Sequence, residues 1–133
     1  VARGQKCERP AELLDVYPTL IDAVKLPAQK TDTHLDGMSL LPWVKDPSAE
    51  KKRPAISTIY AHNHSLVDSR YRYTRYADGS EEFYERLKDP HEFSNIITNA
   101  KSDEALKGDI KKLSAFIPEK EAGKPDLVDD RRK

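Results

Sequence analysis

The sequence predicts an α+β fold, a small antiparallel sheet of three or four strands with a C-terminal helix packed on one face. Three observations carry this reading. Residues 55–87 contain the successive β-rich runs "AISTIY", "HNHSLVDS", "RYRYTRY" and "EEFYERL", short and punctuated by turn residues as neighbouring strands are. Asp78-Gly79 separates the last two runs and is the strongest hairpin signal present, predicting a type I′ turn because glycine takes positive φ freely. Beyond the strands, "SDEALKGDIKKLSAFI" sets Leu106, Ile110, Leu113 and Ile117 on one helical face, with Ser102 as its expected cap. A run of strands followed by a helix is the α+β pattern.

The elements follow in order. "VARGQKCERP" is polar, carries Gly4 and Pro10, and reads as a loop. In "AELLDVYPTLIDAVKLP" the residues Val16, Leu20, Ile21 and Val24 recur at helical spacing. Pro18 would break a helix begun at Ala11, since it lacks an N–H and crowds the carbonyl four residues back. An N-cap at Asp15 removes the conflict by placing Pro18 in the first turn. This predicts a helix over 16–25, closed by Pro27, with Leu13 and Leu14 extended before it. Residues 28–37 are a polar loop, "GMSLLPWVKDP" gives one apolar turn around Leu40, Leu41, Trp43 and Val44, and "SAEKKRP" is a solvated linker. From Pro118 the chain is mostly charged and is expected to be disordered or laid over a partner.

Composition limits the functions available. The chain has 133 residues, enough for one domain with a modest core, but it is only 37% hydrophobic and 35% charged. That is lean for a self-sufficient globule and fits a piece of something larger. Its 23 basic and 23 acidic residues cancel, so no net field recruits nucleic acid or an anionic membrane. One cysteine, Cys7, excludes an intrachain disulfide and a cysteine-based zinc cage. The chain begins at Val1 and not at methionine, so the lack of a signal peptide says nothing of the compartment.

Several residues invite a chemical role and mostly lose it on inspection. Alternation puts Tyr71, Tyr73 and Arg75 on one strand face and Arg72, Thr74 and Tyr76 on the other. Tyrosine–arginine mixtures stack bases or sugars and clamp anions. Tyrosine is also a good strand former that packs across neighbouring strands, and the structural reading is preferred. His62 and His64 share a strand face, yet a zinc site needs three or four ligands, and His34 and His91 stand at no helical spacing. Cys7 has no histidine or helix N-terminus beside it to generate a thiolate. In "KDPHEFSN" Asp89 and Pro90 form a turn, with Glu92 and Asn95 placed to satisfy nearby amides. No Gly-rich phosphate loop, nucleophile elbow or paired carboxylates are found, so the chain by itself has no catalytic engine.

Three segments in succession, "CERPAELLDVYPTLIDAVKLP", "LDGMSLLPWVKDP" and "RYRYTRYADGSEEFYERLKDPHEFSNI", resemble the C-terminal portion of sulfatases, with the bacterial iduronate-2-sulfatase-like members the nearest likeness. The resemblance runs from about Gly4 to Ile97. It implies the C-terminal subdomain of an alkaline-phosphatase-like α/β sulfatase fold. Residues 1–27 would be the last loop and helix of the large domain, 28–54 a connecting segment, 55–117 the antiparallel-sheet subdomain and 118–133 a charged tail. In that family a formylglycine, made from the cysteine of a Cys-x-Pro-x-Arg motif, attacks a sulfate ester beside calcium. Cys7 in "CERPA" does not match that motif, and neither group is expected to be held by this chain.

The resemblance therefore implies a fragment of a sulfuric ester hydrolase acting on a sulfated carbohydrate, inactive without an N-terminal catalytic domain as its partner. By resemblance the parent would be periplasmic or secreted. His64 occupies a place where relatives carry a histidine and is the one substrate-contact candidate. The tyrosine strands become scaffold, and the isolated sheet is expected to expose an apolar face. Two departures stand out: Lys25 where relatives have the glycine of a left-handed cap, and Val67 where they have arginine. Competing readings are a phosphoesterase of the same superfamily and a free-standing glycan- or protein-binding module.

Overall fold

The computed structural model describes residues 3–27, 35–49 and 53–120. His34, most of the 28–37 loop, part of the 48–54 linker and nearly all of the 118–133 tail lie outside the described residues. A short 3-10 turn, Leu13–Asp15, leads into helix α1, Val16–Val24, and α2 spans Leu41–Lys45. Four strands follow, β1 (Ala55–Thr58), β2 (His64–Val67), β3 (Tyr71–Arg75) and β4 (Glu81–Glu85). They pair antiparallel in chain order as a meander. Two helices close the described chain, α3 (Ile97–Ala100) and α4 (Glu104–Ser114).

The sheet register assigns the core. Leu66 stands opposite Tyr73, and Tyr73 opposite Phe83, so these three side chains share one face. All three are fully buried, and they join Tyr71, Ala100, Leu113 and Ile117 in one cluster with Ile97, Leu106 and Ile110 packed against it. The Tyr71 and Phe83 rings stack at 4.8 Å. The helical stripe expected from the sequence is thus the face of α4 that covers the sheet. Here tyrosine is scaffold, as the strand-forming argument held.

Several boundaries differ from the sequence reading, each for a visible reason. Leu13 and Leu14 are not extended, because the Asp15 amide bonds back to Glu12 and closes a 3-10 turn. Asp15 precedes α1 as expected but does not cap it with its side chain. That carboxylate is fully buried and accepts instead from the amides of Glu12 (3.0 Å) and Met38 (2.9 Å) and from Arg53 (3.2 Å). Asp103, not Ser102, caps α4, accepting from the amides of Ala105 and Leu106. Ser102 bonds back to Thr98 at the end of α3, a helix the sequence pattern was too short to announce.

The β3–β4 turn is also not type I′. Gly79 alone in it has positive φ (84°), and its amide bonds to Tyr76 while Tyr76 bonds to Ser80. This is a three-residue loop with a left-handed glycine before the strand resumes, the next commonest hairpin solution. Asp78 accepts from the Ser80 amide and hydroxyl and fixes it.

The expectation of an apolar exposed sheet face is overturned. Alternation puts Ser65, Thr74, Glu82, Arg72 and Tyr84 on the face away from α4, and that face is polar. A contiguous run of exposed apolar residues lies instead on the first turn and α1, at Leu13, Val16, Tyr17, Leu20 and Val24.

Polar ties join these parts. Arg53 also pairs with Glu12 at 2.7 Å, and Glu12 accepts from the Ile56 amide that opens β1. Thr19 of α1 accepts from the Leu40 amide. Gly37 lies so close to this joint that a Cβ there would sit 1.9 Å from the Leu14 carbonyl oxygen. On the sheet, the Tyr73 hydroxyl donates to Glu81, and Lys101 pairs with the same carboxylate. Burial alone would raise the Glu81 carboxyl, but hydrogen bonds from Lys101 and Tyr73 outweigh it and hold it below the ordinary glutamate value.

Three outcomes are expected. Asp15→Ala should cost about 2–4 kcal/mol in denaturant unfolding, because it orphans the Glu12 and Met38 amides and removes one of the two carboxylates that hold Arg53. Lys25, at the end of α1, has φ 55°, so Lys25→Gly should stabilise by about 1 kcal/mol by removing the left-handed penalty of a side chain. For Glu81 the folded pKa lies below the unfolded one. Its contribution is therefore complete above about pH 4.5 and is lost as pH falls through the depressed value. Glu81→Gln should flatten that acid limb of a stability–pH curve.

Candidate functional site

The polar face of the sheet is hollowed into a trough of about 550 Å³. Its floor comes from the outward positions of β2, β3 and β4, where Ser65, Thr74 and Glu82 lie in register and Arg72 and Tyr84 form the next row. Thr74 bonds to Ser65 through their hydroxyls at 3.1 Å. Tyr76 and Tyr84 both lie near Glu82, and burial first, then the Glu82 charge, raises both phenols above their ordinary value. One end of the trough is the β1–β2 connection, with Ile59, Tyr60 and Asn63; the other holds His91 and Glu92.

Glu92 is the electrostatic anchor of that second end. Its carboxylate receives Arg72 at 2.8 Å and Arg86 at 3.4 Å. The residue itself sits at φ 57°, a left-handed conformation that non-glycine residues hold only when surrounding contacts demand it. Sequence reasoning expected Glu92 to satisfy exposed amides; the structure gives it two arginines instead. Asp89 does serve the turn, accepting from the Ser94 amide, which lowers its carboxyl below the ordinary value. Asn95 accepts from the Phe83 and Ile97 amides and so stitches β4 to α3.

His64, the predicted contact residue, opens β2 and borders the trough. It is only 2% exposed, and its Nδ1 lies 3.0 Å from the Thr58 hydroxyl. By alternation it shares the side of Leu66, so it forms part of the wall and not of the floor. His62 does not share its strand face, because His62 lies in the preceding turn at φ 64°. Among the described residues no three histidine, cysteine or acidic side chains are grouped to hold a metal ion. Cys7 is half-buried, with its thiol 3.7 Å from the Pro47 carbonyl.

A second cavity of about 350 Å³ lies between α4 and the β2–β3 turn, with Arg9, Arg53, Arg70 and Lys112 around it. Each of these cations is engaged: Arg9 by the Ser48 carbonyl, Arg53 by Glu12 and Asp15, Arg70 by Glu85, Lys112 by Asp109. It offers an incoming anion little. The trough is the better site, and the sequence reading missed Tyr60, Glu82 and the Arg72–Glu92 pair within it. The outward row of the Tyr–Arg alternation was the available signal.

No protein-family model matches the chain. It is 34% identical over 120 residues to a sulfatase of Formosa agariphila, covering 90% of this chain and 22% of that protein. It is 31% identical over 104 residues to a Delta 4,5-hexuronate-2-O-sulfatase of Bacteroides thetaiotaomicron, covering 70% of this chain and 21% of that protein. Among solved structures, BT4656 in complex with its substrate D-glucosamine-2-N,6-O-disulfate superimposes with a TM-score of 0.55 at 20% identity, over 80% of this chain and 25% of that one. The phosphonate monoester hydrolase of Agrobacterium radiobacter gives 0.54 at 26% identity, over 76% and 23%.

The chain thus spans about a fifth of the length of the curated relatives it matches. Among the described residues no helix is long and apolar enough to cross a membrane. A four-stranded meander backed by a C-terminal helix, matched to sulfatases along most of its length, identifies the chain as a C-terminal portion of a sulfatase-family protein.

Proposed function

We propose that this chain completes a sulfatase that hydrolyses sulfate esters of a carbohydrate, packing on a catalytic portion that precedes it and walling that portion's pocket. The observation that carries the reading is the 34% identity to a sulfatase across 90% of the chain, with a hexuronate-2-O-sulfatase among the other relatives. In this proposal residues 1–27 close the large domain, 28–54 connect, 55–117 form the C-terminal subdomain and 118–133 are a tail. The exposed apolar ridge of Leu13, Val16, Tyr17, Leu20 and Val24 supports that layout. A helix showing this much apolar surface wants a partner to cover it. A periplasmic or secreted parent accords with the same family.

The chemistry of the family, a formylglycine nucleophile beside calcium, is placed in the preceding portion. The acidic groups around the trough do not fit a calcium ion, because Glu92 is held by two arginines and, among the described residues, no third ligand joins it and Glu82. This chain's share of the work is to bind and orient substrate and to exclude water. His64, fixed by Thr58 within the trough wall, is the proposed contact. A buried, hydrogen-bonded imidazole keeps a defined ring orientation, which is what a positioning contact requires.

The likeness to a phosphonate monoester hydrolase favours a second reading, a phosphoesterase or phosphonate hydrolase of the alkaline phosphatase superfamily. One assay decides between them. The full-length parent is expected to release sulfate from an aryl sulfate and a sulfated disaccharide, with aryl phosphates and phosphonates poorer substrates, while the isolated chain releases none. Faster turnover of the phosphorus esters by the parent selects the second reading. Turnover of aryl sulfate by the isolated chain refutes the division of labour.

A further inference from the structure

The β1–β2 connection at the head of the trough is strained, stiffly held and tipped with an aromatic ring. Tyr60 has φ 56° and His62 φ 64°, two left-handed non-glycine residues within three positions, a conformation L side chains disfavour. The tip is pinned all the same. The Ile59 amide bonds to the Asn63 carbonyl (3.1 Å), the Asn63 side chain donates to the Ala61 carbonyl (2.9 Å), and the same side chain accepts from the Ala77 amide of the neighbouring hairpin (3.2 Å). This backbone does not bury the ring. Tyr60 is 89% exposed and stands on the trough rim. At the far end His91 stacks on Phe93, itself 85% exposed, with ring centroids 5.4 Å apart.

Between these ends the floor offers hydroxyls and little charge. Ser65 and Thr74 are bonded to each other, and Arg72, the one arginine or lysine among the lining residues, is already engaged by Glu92. Arg86 pairs with the same Glu92, so neither arginine at the trough is left over for an anion. An exposed aromatic platform beside a hydroxyl-rich floor lacking a spare cation fits the apolar face and hydroxyls of a neutral ring. It does not fit a sulfate group.

We infer that the trough is a subsite for an unsulfated sugar of the carbohydrate chain, with Tyr60 as its stacking platform. The inference rests on the sulfatase reading above and deepens it: the sulfated residue lies in the catalytic portion, and this chain holds a neighbouring, uncharged ring. Strain at the tip then has a purpose, because it holds a large ring in solvent where packing alone would not place it.

The test uses the full-length parent, titrated calorimetrically with chitotetraose, a neutral oligosaccharide. Tyr60→Gly removes the ring while suiting the left-handed backbone, so its melting temperature should hold or rise while affinity falls by about tenfold. Tyr60→Phe should retain the affinity, since the stack needs the ring and not the hydroxyl. Unchanged affinity in Tyr60→Gly, or no binding by the unsubstituted parent, overturns the inference. So does a fall in melting temperature with binding intact, which would show the ring packed against protein. Aryl sulfate turnover by the unsubstituted parent, measured in parallel, reports on the sulfatase reading alone, so the two failures are told apart.

Discussion

The buried carboxylate of Asp15 is the constraint on which the described architecture depends. It gathers the Glu12 amide, the Met38 amide and the Arg53 guanidinium, groups that come from three segments far apart in sequence. Glu12 extends the joint by accepting from the amide of Ile56 in β1. A carboxylate removed from water needs its full set of donors, so each of these segments has only one acceptable position. Gly37 is part of the same constraint, because the approach to Leu14 leaves no room for a side chain. The consequence is that α1 is fixed to the sheet through polar contacts while its apolar side stays bare.

That division of labour recurs in the sheet. One face is a conventional core in which Leu66, Tyr73 and Phe83 stack in register under α4. The other face is held together by charge and hydroxyls, with Glu92 and Glu82 as its two organising acids. Ser65 with Thr74 and Arg72 with Glu92 are tied to each other across that face, which stiffens the trough without filling it. A surface built this way can hold a ligand by shape and by hydroxyl exchange at little cost in reorganisation.

The backbone outliers cluster where such a surface would need them. Tyr60, His62 and Glu92 have positive φ, and all three lie at the two ends of the trough or in the turn that forms its head. Lys25, the remaining non-glycine example among the described residues, ends α1 and has a simpler explanation as a left-handed cap without its glycine. Strain at a helix end is incidental to packing. Strain at both ends of one cavity is the pattern of a site whose geometry is imposed by the surrounding fold.

Sequence alone determined the α+β class, the four β-rich runs, the α4 stripe and the family likeness, because these rest on local periodicity and on motifs carried by neighbouring residues. It put His64 in a β-rich run and set Tyr71 and Tyr73 on a common face, since alternation is a property of the strand itself. Tertiary structure decided the rest. Asp15 turned its side chain from capping to a long-range joint, Glu92 from a turn residue to the partner of two arginines, and the exposed apolar surface from sheet to helix α1. For Asp15 a local capping preference worth about 1 kcal/mol gave way to the larger cost of leaving a buried carboxylate without donors. That competition is settled by residues distant in sequence, which periodicity does not encode.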